Sequence, residues 1–230
     1  MYGVQNTTVF HTGLFKAGFK RSEKMSFKET SGGSRVERKK EETRKKIMAV
    51  AMTLIKRQGF DTTTMEQIAR EADIAKGTLY NYFPAKEAII DEYIKRSFRE
   101  KNPDRMQQCR QMPDTRSRII LIFSELMEGV QAGKEFFEKY LVYRMQNMVS
   151  FRVDESEKSG FYLIASKIIE LGQKNGEIRK DLPLYILEDL LEFAFIEVVK
   201  QFYIEPEKFN ACEAIEQCVD LFIYAVRPKI

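Results

Sequence analysis

Within Thr62–Ile90, TTTMEQIAREADIAKGTLYNYFPAKEAII, the groups able to donate hydrogen bonds gather on one side: Thr63, Thr64, Lys76, Thr78, Tyr80, Asn81, Tyr82 and Lys86. Hydroxyls, phenols, an amide and ammonium groups at this density are donors for phosphate oxygen. Lys76, Thr78 and Asn81 are also of types that reach base edges. Gly77 has no side chain to hold its backbone off a duplex. The chemistry on offer is recognition of nucleic acid.

Positioning these groups requires a scaffold, and the same stretch spells one. Ile68, Ala69, Ala72, Ile74, Leu79 and Phe83 recur at spacings that converge on one side, as a miniature core needs. They predict a helix from about Met65 to Ala72 and a turn at Asp73-Ile74. A very short helix, Ala75 to Asn81, follows before the stiff Phe83-Pro84 exit. Thr64 with Gln67, or Thr63 with Glu66, fits a capping box that starts the first helix. Two helices joined by so tight a turn are a helix-turn-helix, built to place the second in a major groove.

Upstream, RVERKKEETRKKIMAVAMTLIKRQGF reads as one amphipathic helix, with Ser34 and Glu37 as a capping box and Gly59 as its stop. Ile47, Val50, Ala51, Leu54 and Ile55 can cover the helix-turn-helix core. Arg35, Arg38, Lys39, Lys40, Arg44, Lys45 and Lys46 crowd the first half. Beside a DNA-reading motif, such a run reads as a phosphate-attracting arm, with Arg44 among the expected DNA contacts. Charge follows the same division. Residues 35–102 carry a net of +5 and residues 103–230 a net of −4, while residues 1–34 carry +3. Basic character thus marks the predicted DNA-binding end.

These residues resemble the TetR (tetracycline-repressor) family of bacterial transcriptional regulators. Thr63, Thr64, Ile68, Ala69, Ala72, Gly77, Thr78, Leu79, Tyr80, Tyr82, Phe83, Lys86 and Glu87 match the family pattern, and Gly59-Phe60 stand where the family ends its first helix. Asp73 replaces the usual turn glycine, as a residue that visits the left-handed region readily. Ala75 and Ala85 replace the usual serine caps, each costing about 1 kcal/mol of helix-end stabilisation. The resemblance implies DNA binding without catalysis and a palindromic double-stranded operator. It also implies a homodimer closed by the last two helices, and an effector pocket among the middle ones.

Three divisions follow. Residues 1–34 read as a disordered leader in which Met25 is a candidate initiator, so truncation before it should leave DNA binding intact. Residues 35–85 are the DNA-binding domain. Residues 86–230 read as an all-helical effector and dimerisation domain, giving an all-α chain of about nine helices. Its helices are expected over Lys86 to about Lys101 (ended by Asn102-Pro103), Asp114–Ala132, Lys134–Phe151, Gly160–Lys174, Leu184–Tyr203 and Glu207–Arg227.

Both final helices are apolar around much of their circumference, which calls for two partners. Leu187, Leu191, Phe195, Val198, Phe202, Ile215, Val219 and Phe222 are the expected dimer contacts. Phe123, Met127, Phe137, Tyr140, Tyr143, Arg144, Met148, Phe161 and Phe193 form an aromatic and Met-rich set for a hydrophobic or amphipathic effector, with Arg144 and the tyrosines as polar anchors. The plainer alternative is a solid core in a domain that only dimerises or docks a protein.

Other chemistries find no support. The single histidine, His11, stands in the leader, and Cys109, Cys212 and Cys218 have no ligand spacing, so neither a metal nor a cofactor is expected. Scattered cysteines fit a reducing cytoplasm. There is no glycine-rich phosphate loop, no nucleophile elbow and no apolar run long enough to span a membrane. The expected function is a DNA-binding repressor released by its effector.

Overall fold

In the computed structural model, residues 34–148 and 159–228 are described, side chains at 147 and 148 aside. The expected leader ahead of Ser34 lies outside them, as do residues 149–151 of the expected Lys134–Phe151 helix. Nine helices and no strand occur among the described residues. They are α1 (Arg35–Gln58), α2 (Met65–Glu71), α3 (Lys76–Tyr82), α4 (Lys86–Gln111), α5 (Thr115–Ala132), α6 (Lys134–Met148), α7 (Tyr162–Lys174), α8 (Leu184–Ile204) and α9 (Ala211–Val226).

Helix α1 starts as its capping box dictates. The Glu37 N–H donates to Ser34 Oγ at 3.3 Å and the Ser34 N–H to Glu37 Oε2 at 2.7 Å. It ends at Gly59, whose φ of +88° suits a residue without Cβ. Burial begins only at Ile47, so the basic first half extends beyond the core. Of the two boxes open at α2, Thr64–Gln67 forms, at 3.1 and 3.0 Å. Asp73 adopts φ +52° and turns the chain as its type allows. Ile47, Ala51, Leu54, Ile68, Ala72, Leu79, Phe83 and Ile89 close one apolar core under α1–α4.

The expected break at Asn102-Pro103 does not occur: α4 runs through Pro103 to Gln111. An interior proline costs about 3 kcal/mol. Burial beyond it offsets that cost, since Met106 and Cys109 are interior, and a buried Met alone contributes about 1.5–3 kcal/mol. Arg105 adds a two-pronged grip on Glu125 of α5, at 3.0 and 2.9 Å, with its guanidinium 4.6 Å from the Phe98 ring.

Helices α5, α7, α8 and α9 complete the body. The last helix begins at Ala211, later than the expected Glu207, because Asn210 caps it while Lys208 turns back onto the Glu205 carbonyl. A second correction concerns the α8–α9 stripe. Leu187, Leu191, Val198, Phe202, Ile215, Val219 and Phe222 are all buried within this single chain. The most continuous apolar stripe of each helix closes the intrachain core, so it does not face a second copy. Left outside are Leu190 at 44%, Phe193 at 53%, Ile204 at 66%, Leu221 at 73% and Tyr224 at 68% exposure.

Candidate nucleic-acid interface and body interior

Helix α3 has only 7 residues, and of these Leu79 alone is fully buried. Leu79 pins the helix to the core, which leaves Lys76, Gly77, Thr78, Tyr80 and Asn81 in solvent. A Cβ built on Gly77 would meet nothing within 4 Å. Glycine inside a helix is disfavoured by roughly 0.5–1 kcal/mol relative to alanine, and nothing among the described residues demands one here.

Lys76 is drawn to Glu66 of α2 across the turn, Nζ to Oε1 2.5 Å. That contact raises the lysine pKa and lowers the glutamate's, hydrogen bonding being the largest cause in both. Thr64 is exposed, and its oxygen accepts from the Gln67 N–H while keeping its own proton to donate.

Four expected contacts sit differently. Thr63 is fully buried and its hydroxyl donates to the Gly59 carbonyl at 2.8 Å, so it closes the α1–α2 loop. The Lys86 ammonium turns inward to the Phe60 and Thr63 carbonyls at 2.7 and 2.5 Å, 4.3 Å from the Phe60 ring centroid. These two side chains bind their own head, because buried carbonyls left by the loop need donors. Tyr82 is half-buried against the head core. Arg44, also half-buried, lies 5.4 Å from the Phe83 ring centroid and 6.0 Å from that of Tyr82. Glu66 was missed by the sequence reading; its place in the first turn of α2, across from Lys76, was the available signal.

Inside the body, Phe123, Phe161 and Phe195 form an aromatic cluster. The Phe123 centroid is 6.0 Å from Phe161 and 5.0 Å from Phe195, and Phe161 stacks on Phe195 at 5.9 Å. Phe195, expected at a dimer contact, therefore replaces Phe193, which faces solvent. Met127 is buried near the middle of α5, and Phe137, Tyr140 and Tyr143 are half-buried on α6. Met148 lies outside the described side chains.

Arg144 is buried but not a bare cation, since Nη1 lies 3.9 Å from Asp91, which Lys95 also holds at 2.8 Å. Glu192 faces the same interior. Burial raises its pKa, against a hydrogen bond from Ser159 and the charge of Arg144. Tyr140 is shifted upward too, by loss of solvent above all. Glu188 takes a hydrogen bond from Ser166, and Tyr162 donates to Asp189 at 3.4 Å. Glu188 and Glu192, one turn apart on the buried face of an apolar helix, could have signalled this polar layer from sequence.

Residues 47–93, from the first buried position of α1 into α4, match the family model described as bacterial regulatory proteins, tetR family. The match places a tetR-type DNA-binding segment in the head. An uncharacterized HTH-type transcriptional regulator of Bacillus subtilis, YdeS, is 28% identical over 158 residues, spanning 66% of this chain and 75% of the relative. The fatty acid metabolism regulator protein of the same organism is 20% identical over 80% of this chain and 95% of its own length. Among solved structures, Thermus thermophilus FadR, a TetR family transcriptional repressor in complex with lauroyl-CoA, superposes with a TM-score of 0.67. That match is 22% identical and covers 78% of this chain and 93% of the other, a likeness of fold. The matched head and these relatives are those of DNA-binding transcriptional regulators.

Proposed function

We propose that the chain is a cytoplasmic repressor that binds a palindromic operator as a homodimer and releases it on binding a long-chain acyl thioester. Residues 35–85 act as the reading head, and the helices from Lys86 onward hold effector and partner. One observation carries the reading: α3 keeps Lys76, Gly77, Thr78, Tyr80 and Asn81 outside a core that only Leu79 enters. Thr64 joins them from α2. Lys76 and Thr64 meet phosphate, while Thr78, Tyr80 and Asn81 lie toward the bases.

The second copy packs on the face that Leu190, Phe193, Ile204, Leu221 and Tyr224 leave open on α8 and α9. Isolated exposed apolar residues need no explanation, but five large ones on two adjoining helices do. The effector class follows from the phenylalanine cluster in the body, together with relatives that regulate fatty acid metabolism or carry lauroyl-CoA.

The complete burial of Phe123 against Phe161 and Phe195 favours a second reading, a solid core in a body that only dimerises or docks a protein. Melting the protein with lauroyl-CoA separates the two. A ligand that binds the native state at a hundred times its Kd adds about 2.7 kcal/mol of stability. A raised Tm together with release of duplex DNA supports the acyl effector; an unmoved Tm across chain lengths supports the solid core.

A further inference from the structure

Lys86 opens α4, separated from the last residue of α3 by Phe83, Pro84 and Ala85. Ala85 gives α4 no side-chain cap. From this place the Lys86 ammonium reaches back across α3 and donates to the Phe60 and Thr63 carbonyls, at 2.7 and 2.5 Å. The Phe60 ring, its centroid 4.3 Å away, faces the same charge.

The two carbonyls belong to the loop that sets α2 in place. Thr63 is buried, and the next residue is Thr64, the exposed cap of α2. Three side chains tie that loop down. The Gln58 amide donates to the Thr62 carbonyl at 3.0 Å and to Gln67 Oε1 at 3.1 Å, and the Thr63 hydroxyl donates to the Gly59 carbonyl at 2.8 Å. The third is Lys86, and of these it alone comes from beyond α3. Carbonyl oxygens converging on one point repel each other and, away from water, need a donor. Without the ammonium the loop must turn toward solvent, and Thr64 moves with it.

We infer that Lys86 is a positioning residue for DNA recognition: it fixes the start of α2 against the exit of α3 and itself touches no phosphate. The inference rests on the reading of Thr64 and α3 as the DNA-contacting groups. A phosphate could take the ammonium only by stripping two carbonyls of the head of their donor. Held inward, Lys86 instead keeps Thr64 and the outer face of α3 at one spacing. Such spacing matters where several contacts must be made at once, on a matched sequence, and little where charge alone binds.

The test is Lys86→Met, which keeps the stem and removes the donors. Full-length variant and wild type are titrated by fluorescence anisotropy at a temperature where circular dichroism shows both folded. One duplex is selected by the wild type from a random pool and the other is of scrambled sequence, each over a series of KCl concentrations. Lys86→Met should weaken the selected duplex about tenfold and the scrambled one by less than about twofold. The salt slope should change by less than about half a unit, where loss of a phosphate contact lowers it by about one.

Equal loss on both duplexes, or a slope lower by about one unit, overturns the inference and makes Lys86 a phosphate contact. Unchanged affinity for both overturns it too, by leaving Lys86 a role in the fold alone. Should Lys86→Met not fold, the wild-type ammonium resonance, assigned by its loss in Lys86→Arg, decides instead. It should stay in place when the selected duplex is added; coupling to phosphorus overturns the inference. If the wild type selects no duplex at all, the DNA reading of α3 itself fails, a result distinguishable from every other.

Discussion

The Arg96 guanidinium of α4 clasps the Glu41 carboxylate of α1 through both terminal nitrogens, Nη2 to Oε2 3.0 Å, while its Nε holds Glu92 at 2.8 Å. Arg96 is nearly buried, and its hydrogen bonds are the largest cause of a lowered Glu41 pKa. The grip ties the basic half of α1 to the helix that enters the body. Arg96→Ala should therefore cost about 1–3 kcal/mol in urea unfolding at neutral pH, mainly by leaving Glu92 without its partner. A carboxyl whose pKa is lowered by folding adds stability above its unfolded pKa and loses it as pH falls. The gap between variant and wild type should narrow below the ordinary carboxylate range.

Glu177 gives the sharper pH prediction. Partial burial raises its pKa, but hydrogen bonds from Thr115, Asn175 and Arg118 outweigh that and bring it to about 2. Arg118 Nη1 meets the carboxylate oxygens at 3.2 and 3.3 Å and joins the start of α5 to the loop after α7. Stability from this site should be complete above pH 4.5 and should drain away as pH falls from there toward about 2. Glu177→Gln should lose on the order of 2–3 kcal/mol at pH 7 and far less at pH 3, read from parallel urea titrations.

Gly77→Ala separates fold from function by sign. The added methyl meets open space, so the head should gain up to about 1 kcal/mol from helix propensity. The same methyl should weaken operator binding about tenfold if the α3 backbone approaches the duplex. Thermal melts and anisotropy on one protein batch report both. Tighter folding with unchanged DNA affinity would show that α3 docks elsewhere.

The α8–α9 surface offers a matching pair. Phe193→Glu places a charge on an exposed apolar face and should leave the monomer folded while shifting sedimentation to half the mass. Leu187→Ala instead opens the intrachain core and should cost about 2–5 kcal/mol. Were Phe193→Glu to sediment unchanged, the second copy would have to pack on another surface.

Local chemistry made much of this molecule legible in the chain. The Ser34–Glu37 box, the Gly59 stop, the Asp73 turn and the head core each depend on residues close in sequence, and each stands where its residues predict. Less was readable where tertiary burial decides. Pro103 looks like a stop until the burial of Met106 and Cys109 beyond it is known. Thr63 and Lys86 look outward because their types favour solvent, yet loop carbonyls claim their donors. On α8, apolar residues on all sides conceal which face meets the chain itself, which is why Phe193 and Phe195 exchange roles.

Selection of bound duplexes from a random pool, followed by sequencing, tests the central claim most directly. Two copies of α3 held by one dimer should enrich an inverted repeat whose half-sites are centred about 34–36 Å apart, one helical turn or a multiple of it. Enrichment of a single asymmetric element, or of nothing beyond the input pool, would contradict it.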